Sequence, residues 1–261
     1  MGAGWNDGAY VMTHSRRLEA VFFDLGDTLI YFDGDWPEII RRSRFQLLKS
    51  LQSEGLNLGE DFLSDFSERM AAYFEERNSE FVEYTSLYIL RSTMNDWGMD
   101  AVDAQVLLRA LAAMYEVSQQ HWIPEDDALP TLKRLKEDGY RMALISNAAD
   151  DLNTRLLVDK LGAAPYLEVL VSSAAAGIRK PNPRIFQSVL EIMNLKPQQA
   201  VMVGDSLGAD ILGAHNTGIF SVWITRRADT PANHAHSETI KPEAQIVSLN
   251  ELPDLLAALE K

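Results

Sequence analysis

Four short stretches place acidic, hydroxyl and cationic side chains directly after apolar runs. Asp24-Leu25-Gly26-Asp27-Thr28 follows AVFF, and Ser146-Asn147 follows MALI. Gly177-Ile178-Arg179-Lys180-Pro181 comes shortly after VLVSS. Gly204-Asp205-Ser206 follows AVMV, with Asp210 five residues beyond Asp205. A short apolar run ending in polar, Gly-containing residues reads as a buried strand and the loop that leaves it. Ligands of open α/β sheets bind at the carboxyl ends of strands, so these loops predict one site built from three carboxylates, a hydroxyl and a lysine.

That set of groups suits phosphoryl transfer. Asp24 is the candidate nucleophile, since carboxylates form acyl-phosphates. Asp24 and Asp205 repel each other unless a cation lies between them, and a hard cation that keeps several waters and takes few protein oxygens is Mg²⁺. Ser146 can donate to a phosphate oxygen. Lys180 supplies fixed positive charge where negative charge accumulates, and Pro181 keeps the backbone before it extended.

The elements that must position these groups follow from periodicity. Strands are expected at 20–25, 142–146, 169–172, 200–203, 220–225 and 245–248. Helices are expected at 128–138, 151–161, 183–193, 209–217 and 253–260. Strands alternating with helices imply a parallel sheet covered on both faces, and apolar runs such as VMVG and MALIS fit doubly covered strands. Residues 36–122 differ. Ile39, Ile40, Leu47, Leu48 and Leu51, then Phe62, Phe66, Met70 and Phe74, recur at helical spacing, and further helices are expected near 84–96 and 102–121. The fold class is therefore α/β, a Rossmann-like parallel sheet with an inserted all-helical cap domain. The expected organisation is an N-terminal extension at 1–18, an α/β core at 19–35 and 123–261, and the cap at 36–122. Gly34 and Pro124 punctuate the two joints, where the cap is expected to hinge.

Composition narrows the function. The 261 residues carry 24 Lys+Arg against 38 Asp+Glu, a formal net charge of −14. Such a surface repels nucleic-acid backbones and anionic membranes, so neither is an expected partner. Residues 35–122 alone hold 15 acidic and 8 basic residues, which argues against a polyanionic substrate. The chain has no cysteine, which excludes disulfides, thiolate metal sites and cysteine nucleophiles. No apolar run reaches the roughly 18 residues of a membrane span. Residues 1–14 lack the basic start and apolar stretch of a signal peptide, so a cytoplasmic location is expected.

The stretches FDLGDTL (23–29), LISNA (144–148), RKPNP (179–183) and VGDSLGADILGA (203–214), in this order, resemble the four motifs of the haloacid dehalogenase superfamily. The resemblance covers roughly residues 19–33 and 123–250, and the helical block sits where members with a helical cap, such as phosphoglycolate phosphatases, carry theirs. It implies that Asp24 attacks phosphorus and that Ser146, with the neighbouring Asn147 and Lys180, binds the phosphoryl group. It implies that Asp24, the Gly26 carbonyl, Asp205 and Asp210 serve the metal site, with Asp210 orienting Lys180 or a metal-bound water. The implied activity is Mg²⁺-dependent hydrolysis of a small phosphorylated metabolite through an aspartyl-phosphate.

One position departs from that pattern. The family's phosphatases place the general acid/base two residues after the nucleophile, followed by Gly; here Gly26 and Asp27 stand in the opposite order. Asp27 reaches the leaving group only if Gly26 adopts an unusual backbone conformation; otherwise Asp27 is a structural turn acid. The departure keeps two other functions open, a metal-independent 2-haloacid dehalogenase and a catalytically weak ligand-binding or regulatory member. The cluster Arg41, Arg42 and Arg44 reads foremost as a solvated helix face. His234 and His236 are expected in an exposed loop, and Trp36, Trp97, Trp122 and Trp223 in cores or at the cap–core seam. The sequence carries no motif for substrate identity or oligomeric state.

Overall fold

The computed structural model describes residues 18–260; the expected N-terminal extension, 1–18, lies outside the described residues except for Leu18, which is buried in the core. In chain order the elements are β1 (Ala20–Phe23), β2 (Ile30–Phe32), α1 (Trp36–Ser53), α2 (Glu60–Glu80), α3 (Ser86–Asp96), α4 (Ala104–Gln119), β3 (Trp122–Pro124), α5 (Ala128–Glu137) and β4 (Arg141–Ser146). They continue with α6 (Asp151–Leu161), β5 (Val169–Ser172), α7 (Ser173–Ala176), α8 (Pro183–Ile192), β6 (Ala200–Gly204), α9 (Leu212–Thr217), β7 (Phe220–Ile224), α10 (Pro231–His236), β8 (Ala244–Ile246) and α11 (Leu252–Leu259).

Six strands form one parallel sheet in the order β5-β4-β1-β6-β7-β8. Alternate residues of each strand face opposite sides. Val21, Phe23, Leu144, Val201 and Val203 pack with Leu132 of α5, Leu157 of α6 and Leu256 of α11. Phe22, Ala143, Ile145 and Met202 pack on the other side with Phe186 and Val189 of α8 and Ala214 of α9. Burial on both faces explains why the strands read as continuous apolar runs. The chain winds outward from β1 through β4 to β5, then returns past β1 to β6. The gap between β1 and β6 is therefore the point where the winding reverses, and ligands of such sheets bind at its carboxyl edge.

Helices α1–α4 build a separate apolar cluster around Leu47, Leu51, Phe62, Phe66, Leu90, Met94, Leu107 and Leu111. Asp35, Thr85 and Asp103 cap α1, α3 and α4 through their side chains. Apart from the single bridge Val82–Ile178, residues 36–121 form no strand.

Three features depart from the expected elements. β2 and β3 pair as an antiparallel ribbon at the joints of the helical block, with Tyr31 opposite Ile123. Three-residue strands are too short to show a period. The segment expected as one helix over 209–217 begins as a π-helical turn, Leu207–Ile211, before α9. The polar stretch around His234 and His236 forms α10 and not a loop; His234 is exposed as expected, His236 is half-buried, and Asn233 just before them is buried. Among the tryptophans, Trp97 packs on Phe62, while Trp36, Phe32 and Trp122 cluster edge-to-face at the joint.

Candidate active site

β1 and β6 run in register, Phe23 beside Val203, so Asp24 and Asp205 leave the sheet side by side. The Asp24 amide donates to the Val203 carbonyl at 3.0 Å, one last ladder bond before the loop begins. Carboxylate oxygens of Asp24, Asp205 and Asp210 lie within 4.8 Å of one another. Lys180 reaches into this group from the loop before α8. Its Nζ donates to Asp24 Oδ1 at 2.5 Å and to the Ile145 carbonyl at 2.7 Å, and pairs with Asp210 Oδ1 at 2.7 Å. Asp24, Lys180 and Asp210 are all buried.

Three carboxylates face one ammonium, so the ionised cluster holds an excess of two negative charges, with Asp205 half-buried and the rest buried. Its electrostatics carry that excess. Burial pushes the Asp24 carboxyl up to about 6 against the pull of Lys180, with Asp210 pushing further. Asp205 is raised well above the carboxylate range by burial and then by Asp210, Asp24 and Asp27. Burial opposes charge on Lys180, but Asp210 and Asp24 outweigh it and hold the ammonium above its ordinary value. A divalent cation among the carboxylates would relieve all three, and an all-oxygen donor set suits Mg²⁺.

The loops are built for this geometry. Asp210 packs so tightly on Gly204 that a Cβ there would lie 2.3 Å from Asp210 Cγ. The Ser206 amide donates to Asp210 Oδ2 at 3.0 Å. The Asp205 carbonyl accepts from Trp223 Nε1 at 2.7 Å and Asn233 Nδ2 at 2.9 Å, and Asn233 Oδ1 takes the Leu207 amide at 2.8 Å. Thr28 Oγ1, fully buried, stands 3.5 Å from Asp205 Oδ1.

Ser146 ends β4 at the wall of the same cavity. Asn147 makes two contacts that the sequence did not suggest. Its Oδ1 accepts the Lys180 amide at 2.8 Å and its Nδ2 donates to the Lys180 carbonyl at 3.0 Å. These two bonds tie Asn147 to the Lys180 backbone, and Asn147 also lines the cavity, with one N–H of its carboxamide left over.

Gly26 lies outside the left-handed region; Asp27 itself takes a φ of 56°. The expected source of the rotation was therefore one residue off. Asp tolerates this conformation better than most residues. Asp27 lines the cavity beside Gly26 and Asp205. Burial raises its carboxyl above the ordinary value, Arg227 opposes that, and Glu125 adds to it. Arg227 is itself held by Glu125 and stacks over Tyr31 of β2, 3.6 Å from the ring centroid.

The cavity measures about 800 Å³ and lies between the sheet edge and the helical block. The arginine cluster at the start of α1 divides: Arg41 is exposed and ion-paired with Glu38 at 2.8 Å, Arg42 is exposed, and Arg44 lines the cavity. Sequence reasoning missed Glu83, which is buried at the seam. It accepts from Tyr73 Oη at 2.5 Å and Ser173 Oγ at 2.6 Å, and stands 3.4 Å from Arg179. Lying in an acid-rich stretch, it carries no local signal; only its tertiary partners mark it.

A family model described as haloacid dehalogenase-like hydrolase matches residues 18–218. The chain belongs to the haloacid dehalogenase-like hydrolases. This hydrolase is 29% identical over 246 residues to a glyceraldehyde 3-phosphate phosphatase of Pyrococcus furiosus, covering 94% of this chain and 95% of the relative. It is 30% identical to the enzyme of that name from Pyrococcus abyssi, over 79% of this chain and 81% of the relative. In structure it is similar to a 2-haloacid dehalogenase of Pseudomonas syringae, with a TM-score of 0.67 at 24% identity, covering 92% of this chain and 99% of that one. The last likeness speaks for the fold alone.

Proposed function

We propose that this hydrolase removes the phosphoryl group from a small phosphorylated metabolite, with Asp24 as nucleophile and Mg²⁺ as cofactor. The observation that carries the reading is the group of buried Asp24, half-buried Asp205 and buried Asp210 beside Lys180, which leaves two negative charges for a divalent cation to balance. Relatives named as phosphatases over nearly the whole chain support it. A dehalogenase that works without metal has no use for Asp205 and Asp210 in that excess.

Asp24, Asp205 and the Gly26 carbonyl would hold the metal, and Asp210 would fix Lys180 beside it. Bound there, the cation screens the anionic nucleophile from the anionic substrate and stabilises charge on the transferring oxygens. The Asp24 carboxylate attacks phosphorus and the bond to the leaving oxygen breaks, giving an aspartyl-phosphate and an alcohol that has gained a proton. Water then attacks the same phosphorus, releasing inorganic phosphate and restoring Asp24. Lys180 offsets the charge on Asp24 and on the phosphoryl oxygens, and Ser146 donates to one of them. Asp27 is the carboxyl that delivers and later removes the proton, and its raised pKa suits an acid.

In this reading the block 36–122 is a cap that covers the site and hinges at the β2–β3 ribbon, excluding water when closed. The protein works in a cytoplasmic, reducing setting. Among the described residues no helix is long and apolar enough to cross a membrane. The test is phosphate release from an aryl phosphate and from a panel of phosphorylated metabolites, with and without Mg²⁺. Wild type should turn over only with the cation, and Asp24→Asn should lose activity by about 10³-fold or more. Metal-independent halide release from a 2-haloacid, with no phosphate release, would overturn the reading.

A further inference from the structure

The cap side of the cavity is cationic although the cap as a whole is acidic. Arg44 from α1 and Arg77 from α2 both line the cavity, with Arg179 from the loop before α8. Three other cap arginines have carboxylate partners, Arg41 with Glu38, Arg69 with Asp96 and Arg109 with Glu54, while Arg42 is exposed and Arg91 donates to the Val102 carbonyl. No described residue forms an ion pair with Arg44 or Arg77. Arg77 Nε is buried without a hydrogen-bond partner, and its guanidinium lies over Phe74, 4.2 Å from the ring centroid. Arg179 Nε is also buried and unpartnered.

Charge is lopsided here. Glu83, the buried carboxylate at this end, already takes Arg179, Tyr73 and Ser173. The wall carboxylate Asp150 accepts the Asn153 amide at 2.7 Å and caps α6. Burial lowers the pKa of Arg44, and no carboxylate offsets it. Burial also lowers that of Arg77, with Arg179 pushing the same way and Glu83 and Tyr73 opposing. Desolvating a guanidinium without a partner is costly, and an incoming anion would return the lost interactions. Ile40, Phe66, Met70 and Met114 add apolar side chains to the wall of the same cavity. A cavity of about 800 Å³ falls in the ordinary range of small-ligand sites, with room for both ends of a short two-ended anion.

We propose that the substrate is a phosphomonoester carrying a second anionic group, a carboxylate or a further phosphate, and that Arg44 and Arg77 hold this group while the phosphoryl end sits at Asp24. This rests on the phosphatase reading for the placement of the first anion. The acidic residues that dominate the cap's net charge sit largely on its outer faces, which is why charge counting pointed away from such a substrate.

The experiment measures binding of three non-hydrolysable probes to the full chain with Mg²⁺ by calorimetry: propylphosphonate, phosphonopropionate and propylene bisphosphonate. At least one of the two dianionic-ended probes should bind about tenfold or more tightly than propylphosphonate, since a charge-assisted pair contributes on that order. Which one wins identifies the second anion as carboxylate or phosphate. In Arg44→Gln/Arg77→Gln, checked for folding by circular dichroism, the ratio should fall to about one, and Arg44→Lys/Arg77→Lys should keep part of it. Equal binding of all three probes by wild type, or a preference that survives the Gln pair, overturns the proposal. Phosphate release without any such preference overturns it and spares the phosphatase reading. A preference lost in the Gln pair with no turnover of any phosphomonoester overturns the phosphatase reading and supports the anion site.

Discussion

In the proposed reading, Gly26 and Asp27 set how well this site handles a poor leaving group. Position 26 has no side chain, so the proposal gives proton transfer in the first loop to Asp27, which has a left-handed backbone and lines the cavity with Asp205. Aryl phosphates need little protonation and alkyl phosphates need much. Asp27→Asn should therefore slow an alkyl phosphate by about 10²-fold and an aryl phosphate clearly less, measured as kcat/KM for each. Equal rates for wild type and variant on both substrates would make Asp27 a turn acid. The complementary change is Gly26→Asp. A Cβ at Gly26 meets only the Trp122 ring, at 3.5 Å, and the backbone is outside the glycine-favouring region, so the side chain fits. We expect it to raise alkyl phosphate turnover several-fold; no gain would mean that the first loop does not aim position 26 at the leaving oxygen. At this scale the sequence was legible wherever a residue directly follows a strand, as Asp24, Ser146 and Asp205 do. It was not legible where a side chain's partner lies far along the chain. Nothing local shows that both ends of the Asn147 carboxamide hydrogen-bond the Lys180 backbone.

The elements differ in how firmly they hold these residues. β1 and β6 fix Asp24 and Asp205 through a paired register, whereas the loop after β6 depends on a short helix, α10, more than twenty residues on. Asn233 in α10 donates to the carbonyls of Asp205 and Ala228, each at 2.9 Å, and accepts the Leu207 amide at 2.8 Å. Asn233→Ala strands buried partners at about 1–3 kcal/mol, read as a lowered urea midpoint. As a positioning residue it should also raise the Mg²⁺ concentration needed for half-maximal activity. A stability loss with unchanged metal dependence would confine Asn233 to a structural role. The alternating core was legible because strands buried on both faces leave long apolar runs and amphipathic helices separate them. α10 and the β2–β3 ribbon escaped because a helix of six residues or a strand of three holds fewer than two full periods, and their stability comes from what they touch. The ribbon is clamped by Arg226 with Glu125 and Asp127, and by Arg227 with Glu125.

For the whole molecule, the excess charge at the site sets a link between folding, pH and metal. The sheet, the cap and the loops together bury Asp24 and Asp205 near Asp210. In the folded, metal-free protein Asp24 titrates at about 6 instead of its ordinary 3.8, and Asp205 is raised well above the same value, in both cases chiefly through burial. A carboxyl raised on folding binds its proton more tightly in the folded state than in the unfolded chain. Its contribution is intact below about pH 4 and is lost as pH rises through the folded-state pKa, because the unfolded chain then binds fewer protons than the folded one. Other carboxyls run the opposite way: Arg226 and Ser248 hold Asp127 low against its burial, and Arg141 holds Glu168 low. The raw curve therefore mixes signs, and the informative quantity is a difference. Without metal, the thermal midpoint of wild type should fall relative to that of Asp205→Asn between about pH 4.5 and 7.5. The gap should amount to several degrees, given roughly 2–4 °C per kcal/mol for a chain of this size. Adding Mg²⁺ at pH 7.5 should raise the wild-type midpoint in proportion to the logarithm of its concentration above Kd, because the ion binds the folded state preferentially. Asp205→Asn has lost one ligand and part of the charge excess, so its rise should be much smaller. Parallel pH curves for the two proteins, with equal gains from Mg²⁺, would mean that Asp205 does not carry the strain and that the cation is held elsewhere.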